Sequence, residues 1–203
     1  MSDAQRQLWL LRHGATEWSR NGRHTGTTDL ALLPEGEREA LALKPVLMEQ
    51  RFAAVFSSPL QRARRTCELA GLGDQMQIVE EIREWDYGDY EGITTPQIRE
   101  TVPGWTVWSH GCPNGEQAEQ VRIRCSQAID KALSAPGDGD VALFAHGHIL
   151  RAFTGTWLGL GAAAGGLFKL NTASVSILGW ERDQRAIVRW NAPSQPITAE
   201  TPK

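Results

Sequence analysis

Leu8-Trp9-Leu10-Leu11-Arg12-His13-Gly14 is the stretch on which the fold turns. Four apolar residues followed by two polar ones and a glycine read as a short buried strand closed by a sharp turn. Arg12 and His13 are then delivered to the carboxyl edge of a sheet, where α/β proteins place ligands. An arginine beside an imidazole at that edge suits phosphate chemistry. The guanidinium clamps two oxygens, and a neutral ring nitrogen attacks phosphorus to form a covalent intermediate. Taken alone, the pair equally describes a solvated strand end.

Outward from this stretch, strand-like runs alternate with helical ones. A polar loop covers residues 15–33, and Pro34 opens a helix with Glu35 and Glu37 in its first turn. Residues 53–56 form a second buried strand, and Ser57-Ser58-Pro59 starts a helix with Leu60, Ala63, Cys67 and Ala70 along one side. A third strand is expected at 77–79, an amphipathic helix at 121–133, and the last parallel-type strand at 141–144. Residues 149–158 read as helix, 159–166 as a flexible Gly/Ala connection, and 174–180 with 186–190 as a hairpin-like pair. The tail from Pro193 reads as disordered. This alternation predicts an α/β fold: a doubly wound, mostly parallel sheet with helices on both faces. The whole chain, 1–203, reads as a single domain. An aromatic insertion at about 93–120, carrying Trp105 and Trp108, is either a packed subdomain or a lid over the site.

Composition narrows the partners. The 203 residues are 41% hydrophobic and 22% charged, as in an ordinary globular protein, and the net charge of −3 gives nucleic acid no basic footprint. Any anionic ligand must therefore be held by a local cluster of cations. Cys67, Cys112 and Cys125 form no C-x-x-C pair, which suits a reducing compartment. The first seven residues lack the apolar core of a signal peptide, and no apolar stretch approaches the roughly 20 residues of a membrane span. The expectation is a soluble, cytoplasmic protein.

A second histidine repeats the geometry of the first: Phe144-Ala145-His146-Gly147-His148 again runs from apolar strand to His and Gly. Between the two lies Ser57-Ser58-Pro59-Leu60-Gln61-Arg62, where a helix N-terminus and Arg62 both direct positive charge to the same edge. Then follows Glu80-Glu81-Ile82-Arg83-Glu84-Trp85-Asp86-Tyr87-Gly88, carboxylates flanked by aromatics. A carboxyl desolvated by Trp85 and Tyr87 would have its pKa raised, as a general acid needs. Asp86 reads as a turn former, and Cys67 and Cys125 as inert core thiols.

These separated motifs, in this order over almost the whole chain, resemble the histidine phosphatase superfamily, which includes the cofactor-dependent phosphoglycerate mutases. The resemblance implies a phosphoglycerate mutase-like fold, no cofactor, no metal and a small phosphorylated substrate. It makes His13 the phosphorylated nucleophile, sets Arg12, Arg62 and His146 on the phosphoryl oxygens, and makes Glu84 the proton donor. Arg23-His24-Thr25-Gly26 resembles the family's substrate-contacting segment, so Thr25 and Gly26 join the substrate-binding set with Gly147. His148 and Arg151 could each bind a further substrate group or play a structural part.

The branch is read from departures. Mutases carry Asn where this chain has Ser19, and Arg83-Glu84-Trp85-Asp86-Tyr87-Gly88 differs from their Glu-Arg-His-Tyr-Gly. It is similar instead to sugar phosphatases of the sedoheptulose-1,7-bisphosphatase type and to bacterial acid phosphatases. The insertion offers only Arg99 and His110 as cations for a substrate carboxylate, which favours hydrolysis of a phosphohistidine over return of the phosphoryl group. The alternatives are a phosphoglycerate mutase, a non-catalytic phosphate-binding module, and a metal-dependent hydrolase with Zn²⁺ on His13, His146 and His148. Positive charge from Arg12 and Arg62 speaks against the last. No membrane partner is expected, and a homodimer is left open.

Overall fold

The computed structural model describes residues 5–194. In chain order the elements are β1 (Leu8–Arg12), α1 (Glu17–Asn21), α2 (Pro34–Leu41), α3 (Lys44–Met48), β2 (Phe52–Ser57), α4 (Gln61–Leu69), β3 (Met76–Ile78), α5 (Thr95–Thr101), α6 (Val107–His110), α7 (Ala118–Leu133), β4 (Asp140–Ala145), α8 (Gly147–Trp157), β5 (Val175–Glu181) and β6 (Gln184–Ala192). Among the described residues the strands form one six-stranded sheet in the order β3-β2-β4-β1-β5-β6. The first four strands pair in parallel, and β5 and β6 add an antiparallel edge. The expected tail lies outside the described residues beyond Ser194, as do the first four residues of the N-terminal stretch.

The apolar runs are continuous because both faces of the sheet are covered. Successive side chains alternate between the faces. Leu8 and Leu10 of β1 join Val141 and Leu143 of β4 in a core with Cys125 and Ile129 of α7 and Phe153 of α8. Trp9 and Leu11 join Ala142 and Phe144 in a second core with Leu43, Leu47 of α3 and Cys67 of α4. The chain leaves β1 toward β2 on one side, whereas α8 carries it from β4 across β1 to β5. The connections diverge at the β4–β1 boundary, and that divergence opens a crevice at the carboxyl ends of the strands.

Three local readings are corrected. The 15–33 loop contains α1, opened by a reciprocal cap between Thr16 and Ser19 and closed by Gly22 in the left-handed region at φ 78°. The helix after Ser57-Ser58-Pro59 begins only at Gln61, and its first N–H donates to the Asp29 carboxylate (2.8 Å). That first N–H is therefore taken by protein. The 159–166 connection includes a 3₁₀ turn, Ala162–Leu167, packed so closely that a Cβ on Gly165 would lie 2.4 Å from the Trp108 ring.

Residues 93–120 contribute to the first core. Ile98, Trp105, Val107 and Cys112 are buried in it, and the Trp105 indole donates to the Gly111 carbonyl (3.0 Å). Glu116 anchors the segment to α7 through a two-pronged ion pair with Arg124 (2.6 and 2.7 Å). Asp86 does form the expected turn, accepting from the Gly88 N–H (2.9 Å).

Two glycines bring α2 against the turn that carries His13. A Cβ on Gly14 would lie 2.2 Å from the Gly36 carbonyl oxygen, and one on Gly36 would lie 2.2 Å from that of Ala15. Backbone meets backbone here, so no rotamer change relieves the clash. Gly36→Ala is expected to destabilise the fold by about 1–3 kcal/mol, read from the midpoint of urea unfolding. An unchanged midpoint would show that α2 can retreat freely.

Candidate active site

The site begins with backbone register. Arg12 pairs with Ala145, and the parallel ladder continues one residue further as the His13 N–H donates to the Ala145 carbonyl (3.0 Å). On the other side of β4 the Ser58 N–H donates to Phe144 (3.0 Å). Three strands thus end together and set Ser58, His146 and His13 in a row. The two imidazoles stand 5.2 Å apart, centroid to centroid, at 57°.

His13 is held in one tautomer. Its Nδ1 lies 2.7 Å from the Gly14 carbonyl oxygen, which can only accept, so Nδ1 carries the proton and Nε2 keeps its lone pair. Burial, then the charges of Arg62 and Arg12, hold its pKa well below the usual 6.5 against the Gly14 bond. A neutral imidazole with an available Nε2 is the form that attacks phosphorus.

The cations divide into two kinds. Arg12 lines the cavity beside His13; its Nη1 donates to the Leu170 carbonyl (2.5 Å), while its buried Nε has no partner among the described residues. An orphaned guanidinium N–H costs desolvation energy unless a ligand oxygen takes it. Arg62 and His146, expected on the phosphoryl oxygens, stand behind His13 and do not line the cavity. Arg62 is almost wholly buried and donates to the carbonyls of Thr28 (2.9 Å), Thr25 (3.0 Å) and Gly26 (3.3 Å) and to His146 Nδ1 (3.1 Å). Since Arg62 can only donate, His146 carries its proton on Nε2, which meets Ser58 Oγ at 2.7 Å. Both ring nitrogens of His146 are thereby engaged by protein.

Glu84 is buried at the cavity wall. The apolar setting expected from Trp85 and Tyr87 is furnished instead with three backbone donors. Oε1 accepts from the Trp85 and Ile149 N–H groups (2.9 and 2.8 Å), and Oε2 from that of His148 (3.0 Å). The carboxylate thus sits on the first turn of α8, where orphan N–H groups and the helix dipole favour an anion. This bond set joins Glu84 to the helix that His146 opens.

The cavity holds about 270 Å³, room for a phosphoryl group and a few carbons. Thr25, Gly147, His148 and Arg151 line it as expected. Gly26 does not, because its N–H donates to the Glu91 carboxylate (2.9 Å). A Cβ there would lie 2.5 Å from the Trp85 carbonyl oxygen, so Gly26 lets the loop pass. The Arg151 guanidinium lies 4.7 Å from the Trp108 ring centre and donates to Gly165 (3.0 Å). Arg99 and His110, the cations counted in the insertion, are spent on Trp105 and on the Thr106–Ser109 turn; Arg23 and Arg151 join Arg12 on the cavity wall. Sequence reasoning also missed Thr95 and Leu170, which approach from distant segments with no motif to mark them.

Among the described residues no group of three His, Cys, Asp or Glu side chains is placed to hold a metal ion, and no helix is long and apolar enough to cross a membrane. Residues 8–193 match the histidine phosphatase superfamily (branch 1), and the chain belongs to that family. It is 43% identical to an acid phosphatase of Mycobacterium tuberculosis, over 95% of this chain and 97% of that one. It is 38% identical to the sedoheptulose 1,7-bisphosphatase of Saccharomyces cerevisiae, over 75% of this chain and 67% of the relative. The solved structure of an open reading frame product from Mycobacterium tuberculosis, 41% identical, superposes with a TM-score of 0.89 over 94% of this chain and 99% of that one.

The depressed basicity of His13 has a direct consequence for activity. Protonation removes the Nε2 lone pair, and a lowered pKa moves that protonation to lower pH. The acid limb of the kcat/KM profile is therefore expected well below the 6.5 of an ordinary histidine. An acid limb at 6.5 would show that the two arginines and burial do not act on His13 in solution.

Proposed function

We propose that this chain hydrolyses phosphomonoesters of small metabolites, sugar phosphates foremost, through a covalent phosphohistidine on His13. The observation that carries this is the juxtaposition on one cavity of the His13 imidazole, proton-free at Nε2, and the buried, unpartnered Arg12 Nε. In the first step Nε2 bonds to phosphorus and the ester P–O bond breaks, while Glu84, a carboxylate in the free protein, takes a proton from the substrate monoanion and passes it to the leaving alkoxide. In the second, Glu84 takes a proton from water, whose oxygen bonds to phosphorus as the P–N bond breaks. Arg12 neutralises the oxygens whose charge shifts in both steps. Arg62 serves from behind, as a charge that keeps His13 neutral and as the brace of His146 and the 25–28 loop; on phosphate binding it can exchange a loop carbonyl for an oxyanion.

Likeness to an acid phosphatase over almost the full length supports hydrolysis, and likeness to a sugar bisphosphatase supports the substrate class. The mutase reading needed cations from the insertion, and Arg99 and His110 do not line the cavity. The metal reading needs lone pairs that His146 has already committed. We read residues 93–120 as the cover of the site within a single domain, with Trp108 resting on Arg151. The three buried cysteines, Cys67, Cys112 and Cys125, whose thiols burial pushes up to about 12, suit a reduced cytoplasmic protein. The net charge of −3 argues against nucleic acid as a partner, and a homodimer is compatible with this reading.

His13→Ala should abolish turnover while leaving the circular dichroism spectrum intact. Wild-type protein quenched in acid-free denaturant after labelled substrate should hold an acid-labile, base-stable phosphate that the variant lacks. Turnover at wild-type level in His13→Ala would remove the covalent mechanism.

Glu84→Gln should lower kcat on sugar phosphates by about a hundredfold or more, and much less on p-nitrophenyl phosphate, whose leaving group needs no proton. Because both carboxylate oxygens accept backbone N–H groups, the amide also sets a donor against a donor on α8. Thermal unfolding of the variant separates that effect from the chemistry. Equal losses on the two substrates would reassign the acid.

A further inference from the structure

One side-chain hydrogen bond on the cavity wall is not used by the phosphoryl-transfer steps: the Tyr87 hydroxyl lies 2.6 Å from His148 Nδ1. We propose that His148 is a specificity-determining residue that reads a hydroxyl of the substrate's alcohol portion through Nε2–H, and that Tyr87 is the positioning residue that fixes its tautomer. The pair would select polyol phosphates over simple alkyl phosphates. This deepens the phosphatase reading above and rests on it.

Placement comes first. The His148 backbone N–H donates to Glu84 Oε2, so the ring hangs from the same turn that holds the acid. Glu84, Tyr87 and His148 line the same cavity as His13. The ring is confined by Trp108 at 5.1 Å and His24 at 5.8 Å, and Tyr87 rests on His24 at 4.7 Å, centroid to centroid. A hydroxyl reader must be immobile, and these contacts make it so.

Proton placement comes second. Tyr87 is buried, which pushes its pKa well above the usual 10 and keeps it a phenol with one proton to give. His148 Nδ1 is its hydrogen-bond partner among the described residues. Burial, then the charges of Arg151, His24 and Arg12, hold the His148 pKa well below 6.5, so the ring is neutral. With Nδ1 accepting from Tyr87, the ring proton lies on Nε2, which has no protein partner among the described residues. A neutral N–H donor matches a hydroxyl oxygen, whereas it offers no counter-charge to an anion.

The test compares glycerol 1-phosphate with n-propyl phosphate, which share a carbon skeleton and a poor alkoxide leaving group and differ in the hydroxyls. Wild-type protein should prefer the glycerol ester by about tenfold in kcat/KM, carried mainly by KM, the worth of one neutral hydrogen bond. Tyr87→Phe should erase most of that preference and His148→Ala all of it. Nitrogen NMR of ¹⁵N-histidine-labelled wild-type protein should show His148 as the Nε2–H tautomer, and Tyr87→Phe should mix the two tautomers. A preference that survives in both variants, or an Nδ1–H tautomer in the wild type, overturns the proposal. Hydrolysis of both esters without preference overturns this inference alone. Protein that hydrolyses neither ester and forms no phosphohistidine overturns the phosphatase reading and this one with it.

Discussion

A single backbone hydrogen bond, from the His13 N–H to the Ala145 carbonyl, sets the level of everything at the carboxyl edge of the sheet. It extends the β1–β4 ladder one residue past the strand, so that both strands stop at the same height and each is followed by a histidine. Parallel register allows this, since neighbouring strands run the same way and end on the same edge. Gly14 then turns the chain against α2, where only hydrogen fits between the two backbones. His13 is placed by main-chain geometry, and its tautomer by the carbonyl of the next residue.

Around that point the protein gathers positive charge with little direct counter-charge. Arg62 is satisfied by carbonyl oxygens and by a neutral imidazole, and the loop supplying those carbonyls is fastened by Glu91 through the Gly26 and Thr28 N–H groups. Carbonyl dipoles hold the guanidinium without cancelling its charge. Arg12 keeps one N–H unsatisfied. Desolvation together with uncancelled positive charge explains why His13, His146 and His148 are all kept neutral. The same field that favours an anion in the cavity thus preserves the free lone pair of His13.

Glu84 ties this field to the rest of the molecule. By accepting from Trp85, His148 and Ile149 it joins the loop before residue 93 to the first turn of α8, and α8 in turn carries His148 and Arg151. Arg124 reinforces the junction from α7, donating to the carbonyls of Glu81, Arg83 and Glu84 while pairing with Glu116. The positions of Glu84 and His148 are therefore set by one network. Movement of either would be felt by the other.

Much of this was legible in the chain itself. Uninterrupted apolar runs such as Leu8–Leu11 and Val141–Phe144 state that both faces of the strands are covered, and the His-Gly pairs that follow them state where the strands end. Those signals are local, and strand register does the rest. The roles of Arg62 and Gly26 were not legible: whether a guanidinium faces a cavity or braces a loop depends on carbonyls 34–37 residues away in sequence. Asp29 capping α4 and the two α8 donors to Glu84 are likewise long-range contacts, separated by 32 residues in the first case and by 64 and 65 in the second. Sequence alone determined which side chains reach the sheet edge, because alternation and turn chemistry act over a few residues. Only the tertiary structure decided which of them meet the substrate and which hold the others in place, because that depends on partners which folding, and not proximity along the chain, brings together.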